Sequence, residues 1–325
     1  SVAVTTPAPA VTLDDASPLG DPAVTTEELW RHVDELEEHI HYGADMLQFV
    51  RTCTDNIHRL CTGELDAKAV LFPEGNMDVA RAVYAENLSS RYLNTVLVAG
   101  VKARVRQVVE NPELRPLRIM EAGAGVGAST ASIVEWLRSV DAFTPDENGV
   151  PAVEYIFSDL TTFFLDTARE LWPELQYQIF DINRPHTEQG IADASIDLLI
   201  GVNVFHNCPN MVQLLTNLHG MLAPGGQLAA TESTVPSPVL MSTVEFQEGL
   251  SSSAFTDVRE ETKTAFMTLV QWQEAIANSP FHTVKHWPAR GDIMELGNNH
   301  VLWMRRTDTL DTRHLTAEPL IDVCR

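Results

Sequence analysis

The stretch Leu117-Arg-Ile-Met-Glu121 is a short apolar run that ends in Gly123, Gly125 and Gly127 and gives way to amphipathic spacing from Thr130 to Val140. A strand that passes through glycines into a helix bends sharply, so a ligand can lie against bare backbone at the helix N-terminus. The same rhythm recurs downstream. Val153–Asp159 reads as a strand, Thr162–Leu171 as a helix, and Leu175–Asp181 and Ile196–Val202 as two further strands. Met211–Leu222 is a helix, and a fifth strand, Gln227–Glu232, follows the turn Pro224–Gly226. Strands and helices alternating at this rhythm predict parallel crossovers, and therefore an α/β Rossmann-like domain with a doubly wound, mostly parallel sheet. Thr283–Trp287 and His300–Arg305 are expected to close the sheet, with a helical insertion after the fifth strand at about 237–278.

Up to about residue 26 no apolar period is sustained, and from there to residue 110 the spacing is helical. Leu29, Trp30, Val33, Leu36 and Ile40 recur at helical intervals behind a Thr cap, and Met46–Leu60, Met77–Tyr84 and Ser90–Val109 repeat the pattern. The expected organisation is a mobile tail over 1–26, a helical segment over 27–110 and the Rossmann-like domain over 111–325.

Composition excludes several classes. With 44% hydrophobic and 21% charged residues over 325 positions, the chain can bury a sizeable core. No apolar run suits a membrane span and the N-terminus lacks a signal-peptide layout, so the expected location is cytoplasmic. The formal charge of −23, from 45 acidic and 22 basic residues, opposes any phosphate backbone, so nucleic acid is not an expected substrate. The four cysteines form no CxxC pair and suggest neither a disulfide framework nor a zinc ribbon. His32, His39 and His41 lie among glutamates, but their spacing matches no ligand signature and reads as a solvated helix face, so no metal is expected.

Three acids narrow the reading of the glycine turn. A Gly-x-Gly-x-Gly turn also opens dinucleotide sites, which makes an NAD(P) dehydrogenase the first rival. Glu121, immediately before the glycines, would repel a pyrophosphate but suits a cofactor bearing an ammonium and a sulfonium. Asp159, closing the second strand, can accept hydrogen bonds from ribose hydroxyls, and Asp181 with the apolar Ile182 suits an adenine edge and face. The alternative reading is that Asp159 and Asp181 only cap the elements that follow.

Many landmarks in order resemble the methyltransferase domains of polyketide synthases and non-ribosomal peptide synthetases, with their free-standing relatives in natural-product pathways. They run from about Leu60 to Phe281 and include Leu71-Phe-Pro-Glu-Gly75, Ser90-Arg-Tyr-Leu-Asn94, Ile119–Gly127, Tyr155-Ile-Phe-Ser-Asp159, Phe180-Asp-Ile182, Asn203-Val-Phe-His206, Pro224-Gly-Gly226 and Glu232. The resemblance implies a class I methyltransferase fold in which the helical segment over 27–110 serves as a lid, and S-adenosylmethionine as cofactor, held by Glu121, Gly123, Gly125, Gly127, Asp159, Leu160, Asp181, Ile182 and Asn203. It implies a catalytic pair, His206 and Glu232, which the residues also support, since both close strands that face the ligand crevice of such a fold. A histidine there can take a proton from a carbon beside a carbonyl, or from a heteroatom, while the carboxylate fixes its tautomer.

The favoured reaction is methylation at carbon of a small-molecule acceptor, with methylation at oxygen or nitrogen as the alternative. Methylation of an isoprenoid alkene is a third chemistry, in which Glu170 or Glu232 would stabilise a carbocation. Tyr84, Tyr92, Asn94 and Phe205 are the expected acceptor contacts; for the tyrosines, core packing is an equally good account. Phe205 replaces a commoner Leu. The stretch from Thr234 to Asp257 lacks the tryptophan-rich sequence common in synthase-embedded domains, which with the acidic surface favours a free acceptor over a carrier-bound one. A homo-oligomer is compatible with the sequence.

Overall fold

The computed structural model describes residues 25–235, 242–243 and 255–307. The expected tail over 1–26 and much of the expected insertion lie outside the described residues. By its contacts the chain divides into two units, residues 1–44 and 45–325. The first contains α1 (Thr26–Ile40), where the Thr25 hydroxyl accepts the Glu28 N–H and Glu28 answers back to the Thr25 backbone. That reciprocal cap satisfies two donors of the first turn.

The second unit begins with α2 (Ala44–Asp55), α3 (Ile57–Cys61), α4 (Ala67–Leu71) and α5 (Asp78–Arg81). A π-helical turn over Ala82–Glu86 then leads into α6 (Leu88–Glu110), capped by the Asn87 side chain. The single helix expected over Met46–Leu60 is broken at Asn56, which leaves the helical region and donates its side-chain amide to the Thr52 carbonyl.

The strands are β1 (Leu117–Ala122), β2 (Val153–Asp159), β3 (Gln176–Ile179), β4 (Ile196–Val202), β5 (Leu222–Ser233), β6 (Phe281–Trp287) and β7 (Asn299–Arg306). They form one seven-stranded sheet in the order β3-β2-β1-β4-β5-β7-β6. The first five are mutually parallel, and β7 runs antiparallel to both β5 and β6. The crossover helices are α7 (Ala128–Ser139), α8 (Thr162–Leu171) and α9 (Met211–Met221), and within the expected insertion the described helices are α10 (Arg259–Thr262) and α11 (Leu269–Ala277). The doubly wound, mostly parallel α/β sheet inferred from the sequence is the observed one.

Side-chain alternation sorts the two faces. Ile119, Tyr155, Leu198, Ala229 and Trp303 meet α6, α7 and α8 on one face, while Met120, Leu199, Leu228, Leu302 and Met304 meet α9 and α11 on the other. Two strand boundaries differ from expectation. Edge strand β3 stops before Asp181 because the Asp181 N–H is taken by the Gln189 side chain instead of a neighbouring strand. Pairing of β5 starts at Leu222 opposite Ile196, and the Pro224–Gly226 turn is absorbed as an irregularity in that ladder. Nor does the packing break at residue 110: Gly100 of α6 lies so close to Trp303 of β7 that a Cβ there would stand 2.2 Å from the ring. Among the described residues no helix is long and apolar enough to cross a membrane.

Candidate active site

The carboxyl ends of β1, β2, β4 and β5 converge on one edge of the sheet, so residues distant in sequence share a crevice. At the end of β1 the chain turns through Gly123, Gly125 and Gly127, all with positive φ (63°, 54° and 73°). A Cβ on Gly123 would strike Val204, and one on Gly127 would strike the Trp172 indole at 2.4 Å. At Gly125 the nearest atom would be the Gly123 carbonyl at 3.9 Å, so this glycine faces open space. Two glycines therefore serve packing, and the third leaves room beside bare backbone.

Glu121 is buried below this turn. Its Oε2 accepts hydrogen bonds from Thr130 Oγ1 at 2.6 Å and from the Tyr155 hydroxyl, which leaves Oε1 for a ligand. Burial pushes its pKa up to about 7 against those two hydrogen bonds, with the Asp159 charge adding to the rise. Asp159 is buried too. Its Oδ2 accepts the Gly125 N–H at 3.1 Å and its Oδ1 the Thr161 N–H at 3.1 Å, so one carboxylate ties the glycine turn to the entry of α8. Asp159 thus organises the entry of the following helix, as its capping reading expects, and it also lies against the glycine turn. Burial raises its pKa and the backbone bonds oppose the rise.

Leu160 beyond it is exposed, an apolar side chain at the mouth of the crevice. Asp181 follows β3, where its Oδ1 accepts the Asn183 N–H, while Ile182 is packed into the core on the α9 face. Asn203 ends β4 with φ of 52° and donates its N–H to the Thr231 carbonyl.

The tightest constellation lies at the ends of β4 and β5. His206 Nδ1 is 2.6 Å from Glu232 Oε2, and Glu232 Oε1 accepts the N–H groups of Val204 (3.0 Å) and Phe205 (2.7 Å). Glu232 is fully buried, and the His206 ring lies 5.2 Å from that of Phe266. With Nδ1 committed, Nε2 is the histidine nitrogen available to a reacting group.

The expected acceptor residues divide. Tyr84 packs on the cluster that α2–α5 form with Val126, and Tyr92 packs on the main core. Asn94 is buried and accepts the Ser129 hydroxyl at 3.0 Å, which joins α6 to the first turn of α7. Phe205 must be corrected: it is wholly buried under Gly201 as a residue of the core on the α9 face. Glu170 must be corrected as well. It is exposed in the last turn of the ten-residue α8, and a crossover helix runs back toward the amino ends of the strands, about 15 Å from the crevice edge.

Sequence reasoning missed Thr130 and Tyr155, whose hydroxyls hold Glu121, and the pair of buried Arg259 and partly buried Asp257 beside the histidine. Thr130 lies one turn beyond the glycines, a spacing that could have exposed it; for the others no local signal exists, because their partners lie 34 to 53 residues away.

Comparison with known proteins agrees with this geometry. Residues 120–228 match the family described as a methyltransferase domain. The polyketide synthase PksR of Bacillus subtilis is 28% identical over 215 residues, covering 64% of this chain and 8% of that protein. The chain spans 14% or less of the length of such curated relatives. Among solved structures, the CurJ carbon methyltransferase superposes with a TM-score of 0.71 at 24% identity, covering 86% of this chain and 71% of that one. The trans-methyltransferase CalH, solved in complex with SAH, gives 0.67 at 22% identity over 88% of this chain and 75% of its own. Those two likenesses show the fold.

Proposed function

From a chain that carries a methyltransferase domain and is homologous to the methyltransferase domains of polyketide synthases and non-ribosomal peptide synthetases, we propose a transfer of methyl from S-adenosylmethionine to carbon of a small-molecule acceptor in natural-product biosynthesis. The observation that carries this reading is the buried His206–Glu232 pair at the edge of the sheet where Gly125 opens onto empty space.

The residues present fit the cofactor. The room at Gly125 suits a nucleoside laid on backbone, Glu121 Oε1 offers an acceptor to an ammonium, Asp159 offers one to a ribose hydroxyl, and exposed Leu160 gives an apolar surface. Asp181 and Asn203 complete the set from the neighbouring strand ends. A pyrophosphate would bring negative charge to the same carboxylates, which disfavours the dinucleotide reading. The cofactor, when bound, supplies an electrophilic methyl group on a sulfonium.

The protein's own part is the proton. Glu232 holds the Nδ1–H tautomer of His206, so Nε2 carries the lone pair and takes a proton from an acceptor carbon acidified by a neighbouring carbonyl. Glu232 then balances the imidazolium. Its other oxygen holds the Val204 and Phe205 N–H groups, so the ring cannot turn away without breaking a buried network. CurJ, to which the fold is similar, is a carbon methyltransferase, which supports carbon as the methylated atom. Oxygen or nitrogen methylation would use the same pair; an alkene acceptor would rest on Glu232 alone, since Glu170 is exposed in the last turn of α8.

Titration calorimetry with S-adenosylmethionine, its demethylated product and NAD(P)H tests the cofactor: the first two should bind and the third should not. A donor with a labelled methyl, supplied with a β-ketoester and with its phosphopantetheine thioester, tests the rest. Label on carbon, lost in His206→Ala, supports the reading; label on a heteroatom or unchanged turnover in that variant overturns it.

A further inference from the structure

The short turn that carries His206 is gripped from outside the strands that deliver it. Arg259 is completely buried, and its Nη1 donates to the His206 carbonyl at 2.8 Å while Nη2 donates to the Cys208 carbonyl at 2.8 Å. One guanidinium thus closes both ends of the His206–Cys208 segment, a geometry that needs its planar fork of donors. Asp257 accepts from Arg259 Nε at 2.9 Å and Nη2 at 2.7 Å, and its Oδ2 also accepts the N–H of Met211, the first residue of α9.

Further bonds knit the two segments together. Thr256 N–H donates to the Pro209 carbonyl at 2.9 Å, and the Asn210 amide donates to the Thr256 carbonyl at 3.2 Å. Phe255 lies under the guanidinium at 4.3 Å, and Phe266 of the same segment touches the histidine ring. Burial raises the Asp257 carboxyl, but the bonds from Arg259 and Met211 outweigh it and hold the group below the usual carboxylate range. A buried ion pair of this kind contributes little net stability and much geometric definition when every donor is matched.

We propose that Arg259, held by Asp257, is a positioning residue for the base: it fixes the backbone of the His206 turn so that Nδ1 stays on Glu232 and Nε2 stays on the acceptor. The proposal rests on the reading of His206 as the base. Without the clamp, the His206 turn keeps its Glu232 bonds on one side but on the other loses the two guanidinium bonds to its own carbonyls, leaving the bonds of Thr256 at Pro209 and Asn210 further along, so the ring position blurs. A displacement of about 1 Å is enough to cost on the order of 10²-fold in rate.

The test is a double-mutant cycle on the full chain with Arg259→Lys, which keeps the charge for Asp257 but lacks the planar fork that holds both carbonyls and the carboxylate at once, and with Asp257→Asn as a second route to the same loosening. In the native background each should lower kcat by about tenfold or more, with the KM for S-adenosylmethionine unchanged because the glycine turn is untouched. The pH profile of kcat should change as well, since the contact of the ring with Glu232 loosens; among the described residues Glu232, Cys208, Asp257 and Arg259 are the ionisable groups at that turn. In a His206→Ala background Arg259→Lys should change residual turnover by less than about twofold. Folded variants with native kcat and pH profile, or losses that multiply with His206→Ala, overturn the proposal. A His206→Ala enzyme of native activity overturns the underlying reading instead, and is recognised by that single variant.

Discussion

Glu232 sits opposite His300 across the β5–β7 ladder and reaches the other way to His206, 26 residues earlier in the chain, with 2.6 Å between Oε2 and Nδ1. One carboxylate so links the closing strand pair to the His206 turn. Three donors converge on it: the Val204 and Phe205 N–H groups and the His206 ring.

Replacing this carboxylate should therefore damage stability and rate together. Glu232→Ala leaves three buried donors unmatched, each at about 1–3 kcal/mol, and should lower the melting temperature sharply. Glu232→Gln keeps an acceptor for the backbone but not for both sides, and should melt closer to the native protein while kcat falls on the order of 10²-fold. Thermal melts beside single-turnover rates check it; a Gln variant with native kcat contradicts the assignment.

The glycines should separate. Gly127→Ala drives a Cβ into Trp172 at 2.4 Å in a left-handed backbone, so it should unfold the protein readily. Gly125→Ala meets no protein atom closer than 3.9 Å and carries only the left-handed strain, about 1 kcal/mol. Its main effect should be on calorimetric affinity for S-adenosylmethionine, weakened at least about tenfold.

Glu121 should make the protein pH-sensitive near neutrality. Its pKa in the fold, pushed up to about 7, exceeds the reference value of 4.5, so between the two the folded chain holds the extra proton. Stability from this group is complete below about 4.5 and is lost as pH rises through about 7. Glu121→Gln should flatten that decline in urea titrations across pH 4.5 to 8. In the native protein, binding a cationic cofactor should release protons at pH 6 and fewer at pH 8, which calorimetry in buffers of different ionisation heat reads directly.

Gly100→Ala reports on the helical segment. A Cβ there would stand 2.2 Å from the Trp303 ring, so α6 must move off the sheet, at about 1–3 kcal/mol. A lowered denaturant midpoint with unchanged slope is the expected result; no change would mean that α6 is not tightly seated on β7.

The architecture was readable because each of its signals is local. Apolar runs of strand length, glycines at Gly123, Gly125 and Gly127, and helical spacing in α7, α8 and α9 are properties of consecutive residues. Acids and a histidine at strand ends could be assigned to the ligand edge as soon as the sheet was parallel. Phe205 and Glu170 were misplaced for one reason: which way a side chain points after a strand ends, and where a helix turn lies relative to the crevice, depend on packing against other elements.

The sequence alone therefore determined the alternating elements, the glycine turn and the set of residues that close each strand, since backbone preference and periodicity act over a few neighbours. The tertiary structure decided the partners: Tyr155 and Thr130 on Glu121, the two backbone N–H groups on Glu232, Arg259 across the histidine turn. Those contacts join positions 9 to 53 residues apart, and only the order of strands and the return of the chain after β5 bring them within hydrogen-bonding distance.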